Sequence, residues 1–250
     1  RKSELFRRRA MRYSRTAGSG KWVGCAFILA AIFVRPAAAF DIDEWLSCGA
    51  GSRYASERDR LIALFEDASG YPAVSEVLTD KLREGAAKGV PPAGLADFLE
   101  TEKISLFRIR GIFHNAGLWL GVSAEVQTDT LKSANDTVRS GLPLGTVSVT
   151  ADALSEAGRD LSALNSAVLS LFRIYMAAGL GEDELSDLGA ALAESGLKAE
   201  DFLRLPSYFL KSGMYRIPAQ QMADMIRQIL SEGGDLIDIE QALKTRIPKR

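Results

Sequence analysis

The chain has 250 residues, 47% of them hydrophobic, with 31 Lys and Arg against 32 Asp and Glu and a single histidine. That is ordinary globular composition, enough for one domain or two small ones. One histidine, His114, excludes a histidine-based triad or a multi-histidine metal site within one chain.

The first stretch carries most of the positive charge. Residues 1–21 hold eight basic residues, among them Arg7, Arg8 and Arg9, against one acid, Glu4. An apolar run follows at residues 22–34, then Arg35-Pro36-Ala37-Ala38-Ala39. A basic region, an apolar stretch of about a dozen residues and small residues before a break define a secretory signal peptide, with cleavage expected after Ala39. The apolar run is too short to span a bilayer comfortably. Residues 1–39 are therefore assigned to the leader and 40–250 to a single domain, with a soft sub-boundary near 140. The leader contains nine basic residues and one acid, so the mature chain keeps 22 basic and 31 acidic residues, a net charge of −9. Such an acidic chain is a poor partner for nucleic acid or an anionic membrane surface. No integral membrane segment is expected after processing, and localisation is expected to be periplasmic or extracellular. Cys25 leaves with the leader, so Cys48 stands alone, read as a small, partly buried residue near the new N-terminus.

Taken in order, residues 40–50 read as a short amphipathic turn. Leu61, Leu64, Phe65 and Ala68 share one helical face, and Val74, Val77, Leu78 and Leu82 line a second helix begun near Pro72. Leu95, Phe98 and Leu99 start a stripe that loses phase near Thr101-Glu102, and Leu106, Ile109 and Phe113 resume it. One kinked helix or two abutting ones fit. Residues 117–121 read as a loop, and residues 123–138 as a mostly exposed helix. Thr146 to Thr150 alternate like a strand but have no partner strand, so they read as a first helical turn. Leu161, Leu164, Val168, Leu171, Phe172 and Tyr175 make the strongest stripe and predict a central helix. Stripes at Leu185, Leu188 and Leu192, at Phe202 and Leu205 before Pro206, at Met222, Met225, Ile226 and Ile229, and at Ile239 and Leu243 complete the chain.

A turn pattern recurs through this series. Val90/Leu95, Leu142/Val147, Leu180/Leu185, Leu197/Phe202 and Ile217/Met222 are apolar pairs five residues apart. That spacing is the hydrophobic staple, in which the residue before the N-cap packs on the fourth helical residue. Gly89, Gly141, Gly179 and Gly196 precede four of these pairs, where a left-handed residue would close the previous helix. The prediction is an all-α protein of nine or ten helices joined as tight αα-hairpins, without the fixed period of a strict solenoid. If Gly179 is left-handed, Gly179→Val costs on the order of 1–2 kcal/mol. Gly189 lies inside a predicted helix, so Gly189→Ala is expected to be neutral or stabilising by up to about 1 kcal/mol.

Chemistry-bearing motifs are sparse. No phosphate loop, dinucleotide fingerprint, calcium loop or nucleophile elbow is present, so no cofactor and no metal are expected. Ala193-Glu194-Ser195-Gly196 resembles the Glu-Ser step of lytic transglycosylases, exported helical enzymes that cleave peptidoglycan with one acid. That resemblance makes Glu194 a catalytic candidate, although the Gly-Leu-Met-Gln stretch of that family is replaced by Gly196-Leu197-Lys198-Ala199. A broader likeness concerns Lys81-Leu82-Arg83-Glu84-Gly85-Ala86-Ala87-Lys88-Gly89-Val90-Pro91-Pro92. It is similar to a segment of uncharacterised exported helical proteins of bacteria, which implies location and fold but no activity. Gly94 inside the helix start and the uneven spacing of the later turns depart from that pattern.

The leading expectation is an exported helical binding or scaffold protein acting through protein–protein contacts, the alternative a cell-wall-acting enzyme using one carboxylate. Residues 104–122 combine Phe113 and Trp119 with Arg110 in an otherwise acidic chain, the composition of interface hot spots. Arg110, Phe113 and Trp119 are the candidate partner-binding residues, and Trp119→Ala is expected to leave the melting temperature nearly unchanged.

Overall fold

The structure is a computed structural model that describes residues 40–246; the expected leader and the expected cleavage after Ala39 lie outside the described residues. The described chain forms α1 (Ile42–Ser47), a 3-10 helix (Gly49–Glu57), α2 (Arg58–Ala68), α3 (Pro72–Ala87), α4 (Pro92–Asn115), α5 (Ala124–Arg139) and α6 (Leu144–Glu156). It continues through α7 (Leu161–Ala178), α8 (Glu182–Glu194), α9 (Ala199–Phe202), α10 (Pro206–Met214), α11 (Ala219–Ser231) and α12 (Leu236–Arg246). The fold is all-α, with no strand among the described residues. Ten of the twelve α-helices have nine residues or more, and the two shorter ones, α1 and α9, are too short for periodicity to reveal. The strand-like run at 146–150 lies inside α6, and the stripe that broke at Thr101-Glu102 belongs to one continuous α4.

Helix ends follow from backbone chemistry. The amides of Val90, Leu118, Leu142 and Ile217 each bind the carbonyl five residues back, on Gly85, Phe113, Thr137 and Ser212, at 2.9–3.1 Å. The residue before each is left-handed: Gly89 (φ +72), Gly117 (+75), Gly141 (+110) and Arg216 (+59). This is Schellman closure, which satisfies carbonyls that a helix end leaves unpaired. Gly179 closes α7 with φ +63 and its amide on the Tyr175 carbonyl. Gly196 departs from the expectation, because it is not left-handed. There α8 stops at Ser195 in an extended conformation, and its carbonyls find a different partner.

The helix starts match the staple register. Pro91, Pro143, Gly181, Lys198 and Pro218 are the N-caps, so the five apolar pairs occupy the position before the cap and the fourth helical position. The second members, Leu95, Val147, Leu185, Phe202 and Met222, are all buried.

Packing runs in two rows. In one, α2 lies on α4, α4 on α6, α6 on α8 and α8 on α11; in the other, α3 lies on α5, α5 on α7, and α7 on α9 and α10. One hydrophobic core extends from Ile42 to Leu243, and α7 touches helices of both rows as the central element. By length and mean hydropathy (1.3) α7 could cross a membrane, but its apolar face, from Leu161 to Ile174, is buried in this core. The helices α6 and α8 make the most extensive contact. Gly189 allows it, since a methyl group there would overlap Thr150 Oγ1 and lie 3.3 Å from Leu171 Cδ1. The expectation that Gly189→Ala is neutral or stabilising is therefore reversed: helix propensity favours alanine, but the facing helix occupies the space.

Two isolated polar residues also find their places. Cys48 is exposed rather than partly buried, at the C-cap of α1, where its Sγ donates to the Glu44 carbonyl. His114 is exposed in the last turn of α4.

Candidate functional site

The structure brings Arg110, Phe113 and Trp119 together, but largely inside. Phe113 is fully buried and Trp119 is 8% exposed, their rings stacked with centroids 6.1 Å apart. After Gly117 turns the chain, Leu118 and Trp119 fold back onto the last turn of α4, and Gln127 Nε2 donates to the Trp119 carbonyl at 2.9 Å. The Arg110 guanidinium lies over the Tyr71 ring at 4.4 Å and near the Trp119 ring at 6.0 Å. Tyr71 in turn meets Phe107 edge-on at 5.0 Å. The apolar residues of α4 in the stretch that suggested an interface are mostly internal: Ile109 and Phe113 enter the core, and Phe107 pairs with Tyr71. Phe113 offers no surface to a partner, and Trp119→Ala would remove a packed ring and lower stability, contrary to the expectation from sequence. Ile104 and Leu120 stay exposed, and a cleft of about 50 Å³ lies between Tyr71, Arg110, Trp119, Gln127 and the start of α3.

Glu194, the catalytic candidate, is the last residue of α8 and is exposed. A carboxyl serving as general acid needs an apolar surround. Glu194 instead edges an open groove of about 380 Å³ between α8 and α11, beside Arg227, Gln228 and Ser231. Arg227 there bridges Asp187 and Asp224, and its hydrogen bond holds the Asp224 carboxyl below the ordinary range. The residues around Glu194 carry a structural task. Arg159 donates to the carbonyls of Ala193 (3.0 Å), Leu197 (2.7 Å) and Ser195, while its guanidinium lies over Phe202. Ser195 is buried, with its Oγ donating to the Leu192 carbonyl at 2.8 Å. The Ala-Glu-Ser-Gly run is therefore a helix end capped by an arginine from the α6–α7 turn, which replaces a left-handed glycine.

Sequence reasoning missed two features. Glu102 is buried in α4, accepting from Asn135 Nδ2 at 2.5 Å and ion-paired with Arg139 Nε at 3.0 Å, both from α5. The signal was present as the phase loss at Thr101-Glu102, since a carboxylate occupies a core position there. The second feature is α10, whose Tyr208 and Phe209 are buried while Leu210 and Met214, one turn apart, are 61% and 78% exposed. Burial pushes the Tyr208 hydroxyl up, and it donates to the Leu236 carbonyl at 3.1 Å.

No protein-family model matches the chain, and no curated protein or solved structure matches it significantly.

Proposed function

We propose that the protein is an exported helical scaffold that binds a protein partner on the face of α10. Export is supported by the leader pattern of residues 1–39. The observation that carries the binding surface is the pair Leu210 and Met214, large apolar side chains that stand in water on a helix whose opposite side is core. Among the described residues α10 packs on α7 and α11, and neither covers Leu210 or Met214. Residues 203–217 also hold Arg204, Lys211 and Arg216 without one acid, in a domain of net negative charge. Apolar side chains one turn apart, flanked by cations, suit an acidic amphipathic helix of a partner.

A photo-crosslinking residue placed at 214 tests this in intact cells, with one at Val149, also exposed, as the control. A discrete adduct from position 214, lost with Lys211→Glu and Arg216→Glu, is expected. Equal adducts from both positions, or none from 214, would overturn the assignment.

A further inference from the structure

We propose that the partner of the α10 surface is a second copy of this chain, with α10 of each copy lying on the acidic face of α8 of the other. The inference rests on the reading of α10 as a contact surface and adds the identity of what covers it.

The complementary surface is present on the same molecule. The helix α8 carries Glu182, Asp183, Glu184, Asp187 and Glu194 and no Lys or Arg. Asp183, Asp187 and Glu194 fall on one face of it, and all three are exposed. Arg227 of α11 borders this face, but Asp187 and Asp224 hold its charge. Asp183 and Glu194 have no ion-pair partner among the described residues. The open groove of about 380 Å³ between α8 and α11 runs beside Glu194, and it is lined by the small side chains of Ala190 and Ala191. An alanine-lined groove with an acidic rim admits an apolar side chain and holds a cation at its edge. Residues 203–217 bring that combination, the exposed Leu210 and Met214 with Arg204, Lys211 and Arg216 and no acid. Both helices pack on α7 and α11, so the two surfaces belong to the same part of the fold. A two-fold axis then makes both contacts at once, each α10 against the other copy's α8.

Two of these charges stand where local physics disfavours them. Acids in the first turn of α8 meet the positive end of the helix dipole, but Glu194 ends the helix, where an anion is unfavourable. Arg216, with φ +59, is the one left-handed residue other than glycine among the described residues. Gly89, Gly117 and Gly141 fill the equivalent position in the other closures, without the cost of a side chain there. Arg216 also has no carboxylate partner among the described residues. Folding of one copy accounts for neither charge, and a contact between copies pairs the two.

The test is sedimentation velocity of the chain as recovered from cells, over a dilution series. It is repeated in about 1 M sodium chloride, where the screening length falls to about 3 Å. A monomer–dimer equilibrium that weakens at least tenfold in the high salt is expected. Arg216→Glu and Glu194→Arg should each weaken the dimer at least tenfold. An equal mixture of these two variants should restore it, because both α10–α8 contacts of the mixed pair again join opposite charges. Arg216→Gly guards against misfolding, since it relieves the left-handed backbone. It should melt at or above the parent temperature and still dimerise at least tenfold more weakly. A photo-crosslinking residue at 214 should give an adduct of twice the chain mass, joined to α8. A monomeric chain whose adduct from 214 holds a different protein would overturn the second copy and leave the α10 surface standing. No adduct from 214 would remove both. A dimer indifferent to Arg216→Glu and Glu194→Arg, no recovery on mixing them, or growth beyond a dimer would each overturn the pairing.

Discussion

Gly189→Ala separates a local reading of the chain from a tertiary one. In an isolated helix the change stabilises by up to about 1 kcal/mol, since glycine loses more backbone entropy on folding. In the structure the new methyl group would overlap Thr150 Oγ1, with Thr150 Cβ at 3.2 Å and Leu171 Cδ1 at 3.3 Å. Forcing a methyl group into a packed core costs about 1–3 kcal/mol. The contact between α6 and α8 is the most extensive between any two helices described, so relaxation there is limited. The net expectation is a loss of about 1–2 kcal/mol, or a fall of about 2–8 °C in melting temperature for a domain of this size. Thr150 supplies the control. Its Oγ1 is buried without a partner, so Thr150→Ala removes both the clash and an unsatisfied hydroxyl. The double variant should recover at least about 1 kcal/mol relative to Gly189→Ala alone, a coupling that a double-mutant cycle of thermal melts would resolve. If Gly189→Ala melts at or above the parent, or Thr150→Ala fails to rescue it, the α6–α8 packing described above is wrong.

Three further outcomes follow from the same geometry. Gly179→Val should cost about 1–2 kcal/mol because φ is +63 there, whereas Gly196→Val, outside the left-handed region and with open space around it, should stay within about 0.5 kcal/mol in the same melts. Arg139→Ala should cost about 3–5 kcal/mol in urea unfolding, because it leaves the Glu102 carboxylate buried without its cation. Glu102→Leu should cost less, since the Arg139 side chain is 35% exposed and can turn to water; the reverse order would contradict the burial of Glu102. Mass spectrometry of the native protein should give Phe40 as its first residue, and an intact segment 22–34 in membrane fractions would refute cleavage at Ala39.

The sequence made the helices and their junctions legible because both are local. Apolar stripes at helical spacing marked the faces of α2, α3, α7, α8 and α11, and the five apolar pairs fell on the positions flanking each N-cap. What stayed hidden was set by neighbours distant in sequence. Glu102 looked like a break in a stripe, yet it is a buried acceptor for two residues of α5. Gly196 carried the local signature of a left-handed cap, but Arg159, more than thirty residues away, does that work instead. Trp119 and Phe113 had the composition of a contact surface, but Phe113 lies on the buried stripe of α4 and the backbone reversal at Gly117 folds Trp119 back onto it. Composition cannot say which side of a helix faces water when apolar residues cover most of it.

The same long-range donors explain why the array holds together and where it stops. A helix leaves its last carbonyls unpaired, and burial makes that costly. Here the deficit is met from elsewhere in the stack. Arg53 and Tyr54 reach the carbonyls of Gly89 and Val90 at the end of α3, and Ser155 reaches Ala116 at the end of α4. Arg159 covers the end of α8, and Ser170 the Phe202 carbonyl that ends α9. Each of these ends is complete only when another element is in place, so neighbouring layers stabilise one another, as in stacked helical repeats. Among the described residues, a terminal member of such a stack keeps a face that no other element covers. In the row of α3, α5, α7 and α10 that member is α10, and the side chains it leaves in water are Leu210 and Met214. The stacking that gives this protein its core therefore also leaves these two apolar side chains exposed, the feature on which the proposed partner surface rests.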